Sequence, residues 1–249
     1  MTVTPPSRFV NEAASAANAL NVLDGWVCRV PVEGATTGGM RLFGAEDPRP
    51  QMVSDVFGDI AGWSVLELGS LEGAHAYQLE QRGAHVIGIE ANVATFQRLL
   101  AVKNALQLHA QFLLGDFLAF LQKTQMRFDL IFASGVLYHM PDPIELLYQS
   151  ALHSGRVFLW THYVTPEASA AWGADAKRVY RRHGVDCTYH RYDYVEDSSR
   201  HFSGTDSYCS RLLKDDIVAA LRCFGLAKME IRDDPGHRNG PATSVVAYR

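Results

Sequence analysis

The sequence predicts an α/β fold, a mostly parallel sheet covered by helices on both faces, on three observations. Short apolar runs alternate with segments of helical periodicity from residue 63 onward. The chain closes on a helix and two strands joined by a turn, which suggests an antiparallel sheet edge. Hydrophobic residues make up 47% of the 249 positions and charged residues 20%, enough apolar material for one large domain with length left for an insertion.

The elements follow in order. Residues 1–62 read as an N-terminal helical and loop cap, whose role as a lid or a dimer contact stays open. Within it, 11–23 is alanine-rich, Gly38-Gly39 breaks a loop, and 50–60 reads as a short amphipathic helix with Pro50 in its first turn. Buried strands are expected over 64–68, 85–89, 111–114, 128–133 and 157–161. Helices are expected over 74–81, 93–105, 117–122 and 143–152, giving right-handed crossovers. Residues 164–210 are polar and aromatic and fit no clean strand–helix unit, so they read as a substrate-side insertion in a domain spanning 63–249. The rhythm resumes with a helix over 214–224 and strands over 226–232 and 243–248.

The bulk properties exclude several classes. A net charge of −4 offers no broad basic face for nucleic acid. The cluster Lys177-Arg178 with Arg181-Arg182 reads as a solvated helix face. Four scattered cysteines without a CxxC pair read as reduced thiols of a cytoplasmic protein. No stretch approaches the ~18 consecutive apolar residues of a membrane span, and the N-terminus lacks a signal-peptide core.

In an open α/β sheet, ligands bind at the carboxyl ends of the strands. The first strand leads into Glu67-Leu68-Gly69-Ser70-Leu71-Glu72-Gly73. A dinucleotide fingerprint from Gly69 would need glycine at 71, where the chain has Leu71; the pattern acidic-x-Gly-x-x-x-Gly is met. The second strand ends at Glu90-Ala91, a carboxylate placed for ribose hydroxyls, with Asn92 able to cap the following helix and leave Glu90 free. The third ends at Gly115-Asp116-Phe117, where Asp116 suits an adenine amino group or a helix cap. The fourth leads into Ser134-Gly135-Val136-Leu137-Tyr138-His139, a small pair permitting close approach followed by a histidine suited to general-base work.

Together these strand ends resemble the class I S-adenosylmethionine-dependent methyltransferase family. The resemblance implies a Rossmann-like seven-stranded sheet in the order 3-2-1-4-5-7-6 with its last strand antiparallel, and S-adenosylmethionine as cofactor. It implies that Glu67, Gly69, Ser70, Leu71 and Gly73 surround the methionine part of the cofactor. Glu90 and Ala91 would take the ribose, Asp116 and Phe117 the adenine, and Ser134-Gly135 the pocket floor. Leu71 departs from the family pattern, which has a glycine there. The segment Gly135-Val136-Leu137-Tyr138-His139 also resembles the tRNA wobble-uridine carboxymethyltransferase group, although the charge argues against tRNA. The wider sequence is similar to methyltransferases of bacterial saccharide and natural-product biosynthesis.

On this reading the acceptor is an oxygen or nitrogen of a small molecule, and the protein mainly aligns it with the methyl group. His139 is the expected base and Tyr138 the orienting hydroxyl, with His162 as second candidate. Tyr163, Tyr192, His201, Tyr208 and Arg211 are expected to contact the acceptor. His139, His162, His190 and His201 show no metal-ligand spacing, so no metal is expected. Three rival readings remain: an NAD-dependent oxidoreductase, a binding or regulatory module that holds adenosylmethionine without transferring its methyl group, and an adenosylmethionine-binding enzyme of another reaction type.

Overall fold

The computed structural model describes residues 9–194 and 204–249. Five strands, β1 (Ser64–Leu68), β2 (His85–Glu90), β3 (Gln111–Leu114), β4 (Leu130–Ser134) and β5 (Arg156–His162), run parallel. The helices α3 (Ala74–Glu80), α4 (Val93–Ala105), α5 (Phe117–Lys123) and α6 (Pro143–His153) make the crossovers. After α8 (Lys214–Cys223), β9 (Lys228–Asp234) and β10 (Ala242–Tyr248) complete a seven-stranded sheet in the order β3-β2-β1-β4-β5-β10-β9. Strand β10 inserts antiparallel to both neighbours, as expected for the closing hairpin. The order reverses between β1 and β4, which opens a crevice at their carboxyl ends.

Alternation along the strands divides the core in two. Leu66, Leu68, Ile131 and Val157 face α6 and α8, whose Leu146, Leu147, Ile217 and Leu221 fill that side. Val65, Leu130, Phe132 and Phe158 face the other side, against Leu79 of α3 and Met52 and Val53 of α2 (Arg49–Phe57). Phe132 and Phe158 stack with centroids 4.4 Å apart.

Three expectations change. The insertion is ordered where described: β6 (Lys177–Arg182), β7 (Val185–Asp193) and β8 (Tyr208–Arg211) form a separate antiparallel sheet, preceded by the short helix α7 (Pro166–Ala171). The basic cluster at 177–182 is therefore a strand, not a helix face; Arg181 pairs with Asp186 across the turn, and Arg182 with Asp142. Strand β3 was expected to be buried, yet it is the sheet's edge, with Leu113 and Leu114 exposed.

The N-terminal segment packs onto the sheet domain. Helix α1 (Ala16–Asn21) lies against α4. Leu20, Cys28, Val30 and Phe43 share a core cluster with Ala74 and Val102. A fully buried carboxylate, Glu72, accepts hydrogen bonds from the backbone N–H groups of Val27 and Cys28 and from Arg98 Nε. No helix among the described residues is long and apolar enough to cross a membrane.

Candidate active site

A cavity of about 770 Å³ opens at the carboxyl ends of the parallel strands. Its floor begins at the turn after β1. Gly69 has φ +70°, and a Cβ there would lie 2.6 Å from Val136 Cγ1; Gly73 has φ +81° and starts α3. Leu71 also adopts a left-handed backbone, with φ 50°, so the loop keeps the turn despite the missing glycine. That conformation lets the Leu71 N–H donate to Glu90 Oε2 at 2.9 Å.

Glu90 is therefore less free than the sequence implied. Its Oε1 accepts the Asn92 N–H, and burial raises its pKa. Asn92 does cap α4, accepting from the Thr95 N–H. Asp116 caps α5 through Oδ1, which accepts from Leu118 and Ala119, while Oδ2 makes no hydrogen bond among the described residues.

The structure gathers most of the expected residues on this one cavity. Gly69, Ser70, Leu71, Glu90, Ala91, Asp116, Phe117, Ser134, Gly135, Tyr138, His139, His162 and Arg211 all line it. Glu67 and Gly73 do not; Glu67 is buried behind the loop, its two carboxylate oxygens without a hydrogen-bond partner and 3.6 Å from His75 Nδ1 at the nearest. Three of the expected acceptor contacts also stand elsewhere. Tyr163 packs against the core with Lys214 over its ring. Tyr192 lies under Arg211, and Tyr208 faces a smaller cavity on the other face of the β6–β8 sheet. His201 lies outside the described residues.

Sequence reasoning missed a second wall. Asp47, Arg49, His75 and Trp160 line the cavity together. Asp47 accepts from His75 Nε2 at 2.8 Å and from Arg49 Nη2 at 2.6 Å, and Arg49 Nη1 donates to Ser134 Oγ at 3.0 Å over the Trp160 ring. Burial pushes the Asp47 carboxyl up, but hydrogen bonds from His75 and Arg49 outweigh it and hold it well below the usual carboxylate range. Only Trp160, two residues before His162 at a strand end, carried a signal the sequence could have offered.

At the rim, Tyr138 and His139 belong to a short 3₁₀ turn after β4. Burial pushes the Tyr138 phenol up to about 12. His139 Nδ1 lies 2.6 Å from the Tyr194 hydroxyl; burial first, then the Arg211 and His162 charges, lower it to about 4. His162 Nδ1–H donates to the carbonyls of Gly240 and Pro241 at 3.0 and 3.2 Å, which leaves Nε2 as the unprotonated nitrogen. Burial also lowers its pKa, against the pull of those carbonyls.

Comparison with known proteins agrees with this architecture. The methyltransferase-domain family matches residues 60–200. A tRNA U34 carboxymethyltransferase from Campylobacter lari is 31% identical over 118 residues, 45% of this chain and 40% of that protein. One from Campylobacter hominis is 28% identical over 176 residues, 67% of this chain and 55% of the relative. A ubiquinone biosynthesis O-methyltransferase from Aeromonas salmonicida is 29% identical over 125 residues, 48% of this chain and 52% of the relative. The chain thus spans about half or less of the curated relatives it matches. Among solved structures, the N-terminal domain of EvdMO1 with SAH bound superposes with a TM-score of 0.70 at 23% identity, covering 94% of both chains. A family match across more than half of the chain, on this sheet order, places the protein in the methyltransferase-domain family.

Proposed function

We propose that this protein transfers the methyl group of S-adenosylmethionine to an oxygen or nitrogen of a small molecule, a saccharide or a natural-product intermediate, with His162 taking the acceptor's proton. The observation that carries the base assignment is the fixed tautomer. His162 Nδ1–H is committed to two backbone carbonyls, and Nε2 has no partner among the described residues. His139, the first choice from sequence, shares its Nδ1 with Tyr194 and is lowered to about 4, a poorer proton acceptor near neutral pH. Tyr138, wedged between His139 and His162 at centroid distances of 4.2 and 4.8 Å, is suited to orient the acceptor with His139.

The residues fit the cofactor. Ser70 stands at the glycine turn on the cavity wall, and its buried hydroxyl has no hydrogen-bond partner among the described residues. Both Glu90 oxygens receive backbone N–H groups, and the carboxylate keeps acceptor capacity for a ribose hydroxyl. Asp116 Oδ2 and Phe117 suit the adenine, and Ser134-Gly135 the methionine chain. When bound, the cofactor supplies a methyl group on a positively charged sulfur, a leaving group needing no protein acid. The chain's task is to align the acceptor, exclude water and receive one proton at His162 Nε2.

The small-molecule reading rests on enclosure. Residues 40–52 of the N-terminal cap cover one side of the cavity, and Gly204 and Thr205 of the insertion, with Arg211 directly after it, line the other. A structure of the EvdMO1 domain in the presence of SAH and D-fucose supports a sugar-sized acceptor. Four unpaired cysteines, three of them buried, suit a reducing compartment such as the cytoplasm. The tRNA-modifying relatives favour a second reading, tRNA as acceptor. Salt-sensitive tRNA binding with no methylation of sugars or phenols would establish that alternative.

The test is a pair of variants assayed against an acceptor panel with S-adenosylhomocysteine titrations alongside. His162→Ala is expected to lower turnover about 10²–10⁴-fold while cofactor affinity holds. A His162→Ala enzyme within a few fold of the parent, beside a crippled His139→Ala enzyme, returns the role to His139.

A further inference from the structure

Arg211 lies where β8 meets the cavity, and its position is rigidly set. The neighbouring Ser210 N–H donates to the Met140 carbonyl at 2.8 Å, which ties β8 to the turn carrying Tyr138 and His139. His190, opposite Arg211 across the strand pair, accepts nothing from its guanidinium; its Nδ1–H donates to the Arg211 carbonyl instead. The Tyr192 ring lies 5.0 Å from the guanidinium carbon and fixes its plane.

A guanidinium stays charged at any pH the protein meets, and a partly buried one normally has an anion beside it. The other arginines at the cavity obey this rule where they are not exposed: Arg49 is paired with Asp47 at 2.6 Å, and the exposed Arg232 still reaches Asp55 at 2.8 Å. Arg211 does not. Its Nε is fully buried without a hydrogen-bond partner, and no carboxylate among the described residues pairs with it. Its one side-chain hydrogen-bond partner among the described residues is the Cys209 thiol, and its charge is otherwise felt by Tyr138, His139 and His162, all of them uncharged near neutral pH. An uncompensated charge of this kind is costly to bury, so it is kept for a group that arrives.

We propose that Arg211 is the subsite for an anionic group, a carboxylate or phosphate, carried by the methyl acceptor beside the atom that is methylated. The fork of a guanidinium pairs both anions through two parallel hydrogen bonds. The preferred acceptors are therefore acidic sugars, sugar phosphates or acidic phenols, over their neutral counterparts. This inference rests on the methyl-transfer reading of the cavity.

The experiment measures binding to the full chain saturated with S-adenosylhomocysteine, for the parent, Arg211→Gln and Arg211→Lys. The probes are glucuronate and glucose phosphate against glucose, and para-hydroxybenzoate against para-hydroxybenzyl alcohol. The parent is expected to prefer an acid over its neutral partner by about tenfold or more. Arg211→Gln should erase that preference, Arg211→Lys should keep part of it, and neither should change S-adenosylhomocysteine affinity more than about threefold. Which acid is preferred separates a carboxylate source from a phosphate source. Acid binding that is absent, equal to neutral binding, or unchanged in Arg211→Gln overturns the proposal. So does a Gln variant that loses S-adenosylhomocysteine itself, which would give Arg211 to the cofactor's own carboxylate. Failure of the parent to bind S-adenosylhomocysteine marks a different collapse, that of the cofactor assignment beneath it.

Discussion

Leu71 shows what a sequence pattern can and cannot carry. The missing glycine was visible, and it left the loop geometry open. What closed the question is a backbone angle, φ 50°, at a residue type that pays about 1–2 kcal/mol for the left-handed region. The Leu71 side chain offsets that cost by packing against the N-terminal cluster, and its N–H by binding Glu90. Gly73 has no such compensation available. At φ +81° a Cβ would be strained, and it would also lie 2.6 Å from Leu99 Cδ1 within the core. Gly73→Ala is expected to destabilise the protein by about 1–3 kcal/mol, read as a lower urea midpoint at unchanged slope. An unchanged midpoint would mean that α4 yields freely at Leu99, and that the turn is softer than its contacts indicate. Glu90 and Asp116 stand at the cavity where the sequence put them; the helix cap that the sequence offered as one reading of Asp116 is made, whereas the hold of Glu90 on the backbone of its own turn was not legible.

The parallel strands and their helices were readable because each apolar run sits beside its own periodic helix, and local pattern decides such units. The N-terminal segment was readable as a helical and loop cap, but where it packs was not. Its place depends on contacts 44 residues apart between Glu72 and Cys28, and 85 apart between Arg49 and Ser134. The β6–β8 sheet escaped for another reason: β6 is exposed along almost its whole length, so no apolar alternation marks it. Glu72 gives the cap a test. Its carboxylate holds two backbone N–H groups of the segment and neutralises Arg98 inside the core. Removing the charge strands that guanidinium, which costs about 3–5 kcal/mol for a buried pair. Glu72→Gln should lower stability on that scale and speed amide exchange across residues 16–43 more than in β4 or β5. Uniform exchange across the chain would show that the cap does not depend on this anchor.

Across the whole molecule, burial of histidines makes stability depend on pH in a definite direction. His139 is lowered from 6.5 to about 4 by burial and by the charges of Arg211 and His162, and Tyr138 and Tyr194 around it supply no compensating anion. The unfolded chain therefore takes up a proton near pH 6.5 that the folded chain refuses until about pH 4. Folding stability from this group is full above 6.5 and is lost as pH falls through that window, on the order of 3 kcal/mol. His162 and His190 are lowered in the same direction and steepen the loss. Asp47 acts in a more acidic range. Its carboxyl is held below the ordinary value, so its contribution is present above about pH 4 and disappears on further acidification. The two windows can be separated by urea unfolding of the parent and of His139→Gln at closely spaced pH values. The parent midpoint should fall between pH 6.5 and 4, and the Gln variant should fall less over that interval while matching the parent's decline below it. Parallel curves for the two proteins would show that His139 titrates alike in the folded and unfolded chain. The rim histidine would then be solvated well enough to protonate near neutrality, and the choice of His162 over His139 as base would lose its electrostatic half, leaving only the tautomer argument.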